Sequence, residues 1–269
     1  LPKKGAIEPC LSAMSSRFRH PEILAIARSE GKVVVEDLAQ RFGVTLQTIR
    51  RDLADLAESG QLERVHGGAV LPSGVANIGY ADRQQMHAAA KEAIGRACAA
   101  DIPDACSLFL TIGTTTEAVA RALLTHRDLL VVTNNLNIAN ILAANPQIEV
   151  VVAGGRLRRA DGGLVGPTAV RLIEQFKVDL AVMGCSALDQ DGDMLDFDSA
   201  EVAVSQTIIA QARQRVLVAD HSKIGRKAPM RVAPLSQMAK LYTEAPLPAP
   251  LAAKCAAWGT QIVVAPPAA

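Results

Sequence analysis

The chain has 269 residues, room for one large or two medium domains, and carries 28 Lys/Arg against 27 Asp/Glu for a formal net charge of +1. That balance excludes a polybasic nucleic-acid coat and an acidic tail, while 49% hydrophobic and 20% charged residues exclude wholesale disorder. Aromatic residues make up 3%, too few for RNA modules that stack bases on aromatic platforms. The five cysteines, Cys10, Cys98, Cys106, Cys185 and Cys255, form no CxxC pair and sit near no histidine cluster. They predict reduced thiols in a cytoplasmic protein, with no zinc site, no disulfide frame and no cofactor motif. No apolar run reaches the roughly 18 residues of a membrane helix, so no membrane partner is expected, and the start of the chain has no compact apolar export segment.

In chain order, residues 1–15 read as an N-terminal extension, with Met14 as a natural start. Residues 16–71 then show helical periodicity in short bursts. Ile23, Leu24, Ile26 and Ala27 mark one helix, ended at Gly31; Leu38, Ala39 and Phe42 mark a second, stopped at Gly43; Ile49, Leu53, Leu56 and Ala57 mark a third, closed near Gly60. Val33, Val34 and Val35 are β-branched and predict a short extended piece, and residues 62–65 predict a strand running into the flexible tip His66-Gly67-Gly68. Three short helices with two small strands predict a winged helix. Residues 72–87, with weak periodicity, read as a linker. Residues 88–269 alternate apolar strands, at 108–110, 129–132, 150–152, 180–183, 216–218 and 262–264, with helical stretches at 117–124, 138–143, 170–176 and 201–212. Such alternation predicts a mostly parallel α/β sheet. The proline-bearing tail from Pro246 reads as loop around one last strand.

Residues 33–52 carry the first chemistry. A support helix over 36–42 turns at Gly43, Val44 locks the helix–helix angle, and Thr45 caps the next helix. Ile49 and Leu53 point inward at i and i+4, leaving Arg50 and Arg51 on either side of the buried stripe. Gln47 can pair with adenine, Thr48 can touch a thymine methyl, and arginine can read guanine or clamp phosphate. Arg64 and His66, beside the glycines of the wing, suit phosphate or minor-groove contact. Residues 1–72 hold ten Lys/Arg against nine Asp/Glu, so binding must come from one local face and from paired copies rather than from bulk charge. The competing reading is a winged helix for protein contacts with ordinary solvated arginines.

The second chemistry lies at strand ends. Residues 111–116, Thr-Ile-Gly-Thr-Thr-Thr, offer amides, hydroxyls and a helix N-terminus to an anion, without the spacing of a Walker loop or of a dinucleotide fingerprint. Thr133-Asn134-Asn135, Gly154-Gly155-Arg156 and Asp220-His221-Ser222-Lys223 follow later strands. The candidate effector set is Gly113, Thr114, Thr115, Asn134, Asn135, Gly155, Arg156, Glu201, Asp220 and Lys223. In it Arg156 or Lys223 offsets phosphate charge, and the asparagines and Glu201 take hydroxyls. Arg158 and Arg159 read as a solvated surface run. Asp196, Asp198 and Glu201 lack the histidine that would favour a metal cluster.

The runs TIRRDL (48–53) and RVHGGAV (64–70) resemble the DeoR family of bacterial sugar-regulon repressors. The resemblance continues through IGTTTEAVARALL, VTNNLNIAN, AGGRLRRADGG, LDFDSAEV and ADHSKIGRKA to about Pro246. It implies an α/β fold class with an N-terminal winged helix-turn-helix and a C-terminal sensor domain resembling the ribose-5-phosphate isomerase/CoA transferase fold. The implied partners are double-stranded operator DNA, a small phosphorylated effector (sn-glycerol 3-phosphate) and further copies of the chain, as a homo-oligomer (dimer or tetramer). The implied function is repression of a carbon-catabolism regulon, not catalysis. The alternatives are a different phosphosugar effector and, further off, an isomerase-like enzyme built on Asp198, Glu201, Asp220 and Lys223. Thr111 stands where many family members carry Asp, and Ala90 where an acidic residue is common.

Overall fold

The computed structural model describes residues 16–30, 32–70 and 77–266. The chain divides into two compact units, residues 1–72 and 73–269. The expected extension over residues 1–15 lies outside the described residues.

The first unit runs α1 (Ser16–Glu30), β1 (Lys32–Val34), α2 (Val35–Phe42), α3 (Leu46–Glu58), β2 (Glu63–Val65) and β3 (Gly68–Val70). Its core holds Ile23 and Ala27 from α1, Leu38 and Phe42 from α2, and Ile49, Leu53 and Leu56 from α3, the periodic positions of the sequence. Extended chain stops one residue short of expectation: Val35 already opens α2, because its buried side chain serves the helical face. Gly43 ends α2 in the left-handed conformation (φ 63°), which glycine adopts without Cβ strain. The strand β3 pairs antiparallel with both β1 and β2 and so forms the wing. Gly68 is required there, since a Cβ would lie 1.8 Å from the Val33 carbonyl oxygen.

The second unit begins with α4 (Tyr80–Gln85) and α5 (Ala88–Ala100). It continues through β4 (Ser107–Leu110), α6 (Thr114–Ala122), β5 (Leu129–Thr133), α7 (Leu136–Leu142) and β6 (Ile148–Val152). A hairpin of β7 (Arg156–Arg158) and β8 (Gly163–Val165) leads to α8 (Pro167–Ile173) and β9 (Val178–Met183). Then come β10 (Ala187–Leu188), β11 (Asp193–Asp196), α9 (Ser199–Gln211), β12 (Ala212–Val218), β13 (Met230–Pro234), β14 (Lys240–Thr243), α10 (Ala249–Trp258) and β15 (Gln261–Val264). Seven strands form one parallel sheet in the order β15-β14-β12-β9-β4-β5-β6. One face packs on α5, α6 and α7 through Ile94, Val119 and Ile138. The other packs on α8, α9, α10 and the small antiparallel sheet β10-β11-β13 through Ile173, Ile208 and Leu251. Strands covered on both faces explain the unbroken apolar runs.

Two expectations need correction. The tail past Pro246 contains the helix α10, because Pro250 occupies the first turn, where its missing N–H has no intrahelical partner to lose. Residues 72–87 are more than a linker: from Asn77 onward, side chains of this stretch are hydrogen-bonded to the rest of the second unit, Asn77 to Ser186 and Tyr80 to Glu117.

Candidate DNA-reading face and effector cavity

The recognition helix α3 is capped as its sequence requires. Thr45 is extended (φ −72°, ψ 153°), and its side chain accepts a hydrogen bond from the Thr48 amide at 3.2 Å. Ile49, Leu53 and Leu56 face the core, whereas Thr45, Gln47, Arg50 and Arg51 are exposed and Thr48 is half-buried. Arg64 and His66 are exposed on the wing. Leu46 adds a large exposed apolar side chain to the first turn, 41% accessible. The same helix is tied down from behind. The Arg19 guanidinium donates to both Asp52 carboxylate oxygens, at 2.6 and 3.0 Å, with His20 Nε2 3.4 Å away. Periodicity gave no hint of this buried ion pair, because Asp52 sits next to Arg51 in what reads as a charged run.

In the second unit a cleft opens at the carboxyl ends of β4, β9 and β12. The chain leaves β4 toward β5 and β6 on one side and returns to β9 on the other, so the cleft lies at the topological switch point of the sheet. Gly113, Thr114 and Thr115 line it from the start of α6, Gly184, Cys185 and Ser186 from the end of β9, and Lys223 from beyond β12. The Thr116 hydroxyl donates to the carbonyls of Thr111 and Gly113, both at 2.7 Å, and braces the Gly113 turn. The Thr111 hydroxyl instead accepts from the Gly184 amide at 3.1 Å and joins the tips of β4 and β9.

Of the ten expected effector residues, the fold brings five to the cleft: Gly113, Thr114, Thr115, Glu201 and Lys223. The other five take supporting places. Asn135 caps α7 by accepting from the Asn137 amide at 2.8 Å, and Asn134 donates to the Leu164 carbonyl at 3.2 Å; both are buried. Asp220 is fully buried and accepts from the Ser222 amide in the turn that carries Lys223. Gly155 permits a close approach, since a Cβ would lie 2.7 Å from the Val165 carbonyl oxygen. Arg156 is exposed on the hairpin and outside the cleft.

The arginine that lines the cleft is Arg158, two residues on, at the end of β7. It is not the solvated residue expected. It donates to Asp161 at 2.9 and 2.5 Å and to Asp198 at 3.1 Å, and pairs with Glu201 at 2.5 Å. One guanidinium shared by three carboxylates leaves a surplus of acid. Burial and the nearby Asp196 push the Glu201 carboxyl up to about 8. Burial pulls the Lys223 ammonium below the usual lysine range, opposed by Asp220 and reinforced by Arg226 and Arg83. Lys91, buried on α5, is lowered to about 8, first by burial and then by Lys223 and Arg83. Asn77 and Arg83 also line the cleft. Sequence reasoning missed both, since weak periodicity marked their segment as connector.

Residues 86–245 match the family described as the DeoR C terminal sensor domain, and residues 19–75 the DeoR-like helix-turn-helix domain. The chain belongs to the DeoR family. This DeoR-family chain is 44% identical to the glycerol-3-phosphate regulon repressor of Escherichia coli (strain K12) over 87% of its own length and 93% of the relative's. It is 46% identical to the repressor of that name from Haemophilus influenzae, over 86% and 90%. The HTH-type transcriptional repressor CsqR of Escherichia coli is 39% identical over 90% and 92%. Among solved structures, translation initiation factor eIF-2B from Pyrococcus horikoshii OT3 aligns over 86% of this chain and 82% of its own, with TM-score 0.47 and 12% identity. Ribose 5-phosphate isomerase A from Neisseria gonorrhoeae covers 50% and 52%, with TM-score 0.36 and 15% identity. Among the described residues no group of three or more His, Cys, Asp or Glu side chains is arranged to hold a metal ion, and no helix is long and apolar enough to cross a membrane.

Proposed function

We propose that this DeoR-family chain is a cytoplasmic, DNA-binding transcriptional repressor of a glycerol or glycerol-3-phosphate regulon, released from its operator by sn-glycerol 3-phosphate. The observation that carries the first half is the face of α3, with Gln47, Arg50 and Arg51 outward over a buried Ile49–Leu53–Leu56 seam. In this reading Gln47, Thr48 and Arg50 read base edges under the Thr45 cap, while Arg51, Arg64 and His66 meet phosphates. Two recognition helices one groove turn apart require a homo-oligomer. The names and identities of the bacterial relatives support the regulon.

For the effector, Lys223 and the α6 N-terminus at Gly113, Thr114 and Thr115 form an anion seat, and Ser186 and Glu201 face the hydroxyls. Release requires that the ligand bind more tightly to an arrangement that grips DNA poorly. The test is fluorescence anisotropy of the full chain on a duplex it selects from random-sequence DNA. Affinity should fall at least tenfold with millimolar sn-glycerol 3-phosphate and not with glycerol. Unchanged affinity would reject this effector.

A second reading rests on the acid/base types in the cleft, Lys223 and Glu201, which would suit a phosphosugar isomerase. Turnover of ribose 5-phosphate by the purified chain would favour it; no turnover beside ligand-dependent operator release would reject it.

A further inference from the structure

The stretch between the winged helix and α5 supplies part of the cleft wall, and this carries a consequence for regulation. Arg83 reaches the cleft from the last turn of α4, and Asn77 from the chain just before it. Both are anchored: Arg83 Nε donates back to the Ile78 carbonyl at 3.0 Å, and the Asn77 side-chain amide donates to the Ser186 hydroxyl at 2.9 Å. Ser186 in turn donates to Asp196 at 2.8 Å.

The cations of the cleft differ sharply in how far they are already neutralised. Arg158 is held by Asp161, Asp198 and Glu201. Among the described residues the carboxylate facing Arg83 is Asp161, Nη2 to Oδ2 at a long 3.5 Å, and that carboxylate already pairs with Arg158 at 2.5 Å. A guanidinium fork whose Nε is fixed and whose outer edge has no closer counter-ion among the described residues matches a phosphate in geometry and charge.

The segment is also wired to the rest of the sensor. The Tyr80 hydroxyl donates to the buried Glu117 carboxylate at 2.9 Å, and the Asn137 amide donates to Tyr80 Oη at 2.8 Å. The buried Lys91 ammonium closes the far end of α4, donating to the Met86 carbonyl at 2.6 Å and to the Arg83 carbonyl. Lys91, Arg83 and Lys223 carry like charge in this region, and their mutual repulsion adds to burial, the larger cause, in lowering both lysines. An anion between Arg83 and Lys223 relieves that repulsion and joins the connecting segment to the sheet ends.

We propose that residues 77–86 form a strap that completes the effector cleft, with Arg83 as a direct ligand to the effector's anionic group and the Tyr80–Glu117 bond transmitting occupancy into the connector. This rests on the reading of the cleft as the effector site and adds to it the element that links the ligand to the chain leading into the winged helix. An occupied strap is stiffer, so backbone amides of α4 that exchange in the free protein become protected.

The experiment uses the full chain and two probes, sn-glycerol 3-phosphate and inorganic phosphate, with hydrogen exchange and calorimetry as readouts. Either anion should slow exchange across residues 80–86 at least fivefold in the wild type. In Arg83→Gln that protection should vanish and affinity for sn-glycerol 3-phosphate should drop at least tenfold, with operator affinity in its absence unchanged. Tyr80→Phe keeps the ring and loses the hydroxyl. It should bind sn-glycerol 3-phosphate within threefold of wild type yet lose most of the ligand's effect on operator affinity. Tyr80→Phe that is released like wild type, or an anion that binds without protecting residues 80–86, overturns the strap. A wild type protected by inorganic phosphate but indifferent to sn-glycerol 3-phosphate leaves the strap standing and rejects the effector instead.

Discussion

The buried pair behind the recognition helix gives the sharpest energetic prediction. Arg19 and Asp52 are 8% and 3% exposed at their side chains and meet in a two-point fork at 2.6 and 3.0 Å. Removing one partner of such a pair costs about 3–5 kcal/mol, against roughly 0–1 kcal/mol for a solvated one. A winged helix of this size commands only roughly 3–8 kcal/mol in total, at about 0.05–0.15 kcal/mol per residue. Asp52→Ala should therefore loosen most of the first unit while leaving the second intact. Native-state hydrogen exchange on the full chain resolves the two. Protection of α3 amides should fall about 100-fold or more, since each 1.4 kcal/mol is roughly tenfold, while β4 amides stay as they were. The double variant Arg19→Met/Asp52→Leu, apolar on both sides, should recover most of the loss. A fall in α3 protection of less than about fivefold in Asp52→Ala would show that the pair behaves as a surface contact and would refute the reasoning.

Three further outcomes follow. Arg50→Ala, on an exposed position of α3, should weaken operator binding at least tenfold by anisotropy and leave the calorimetric affinity for sn-glycerol 3-phosphate unchanged. Gly68→Ala should break the β1–β3 pairing, because its Cβ would meet the Val33 carbonyl oxygen at 1.8 Å; circular dichroism and operator binding of the full chain should both register the loss. Effector affinity should fall at least about tenfold from pH 7 to 9, since a single charge roughly 6 Å away at an effective dielectric near 40 already gives about that factor. Over that window Lys91, lowered to about 8, loses its positive charge, and Glu201, raised to about 8, gains a negative one. Both changes move the cleft against an anion. For stability the same groups oppose each other. Glu201, raised above its unfolded value, contributes stability that is lost as pH rises through about 8, whereas the depressed Lys91 costs stability below its unfolded value. Glu201→Gln should flatten the affinity profile.

What was legible from sequence was what local rules decide. The recognition helix could be placed because Thr45 is a cap, Gly43 a left-handed stop, and Ile49, Leu53 and Leu56 a seam of helical spacing. The strands of the large sheet announced themselves as apolar runs because helices cover both faces. β14 was missed although Tyr242 is buried in it, since Lys240 and Thr243 break the run and only pairing between β12 and β15 makes the segment a strand. Gly113, Thr114 and Thr115 of the cleft were visible as a strand–turn–helix start. Arg158 was misplaced as solvent-facing because two carboxylates distant in sequence, Asp198 and Glu201, converge on it only in the fold. Arg83 and Asn77 were invisible for a related reason. A short helix held by side-chain hydrogen bonds instead of an apolar face has no periodicity to detect, and Tyr80, Asn77 and Lys91 hold α4 in that way.

The central claim, a repressor whose grip on DNA is released from a cleft at the sheet ends, is tested most directly by one titration. Full-length protein bound to its selected duplex is titrated with sn-glycerol 3-phosphate, in wild type and in Lys223→Ala, and anisotropy is followed. The account predicts release of the wild type at millimolar ligand or below, and a Lys223→Ala variant that holds DNA equally well and stays bound. A wild type that keeps its duplex throughout, or a Lys223→Ala variant released at the same concentration, would contradict it.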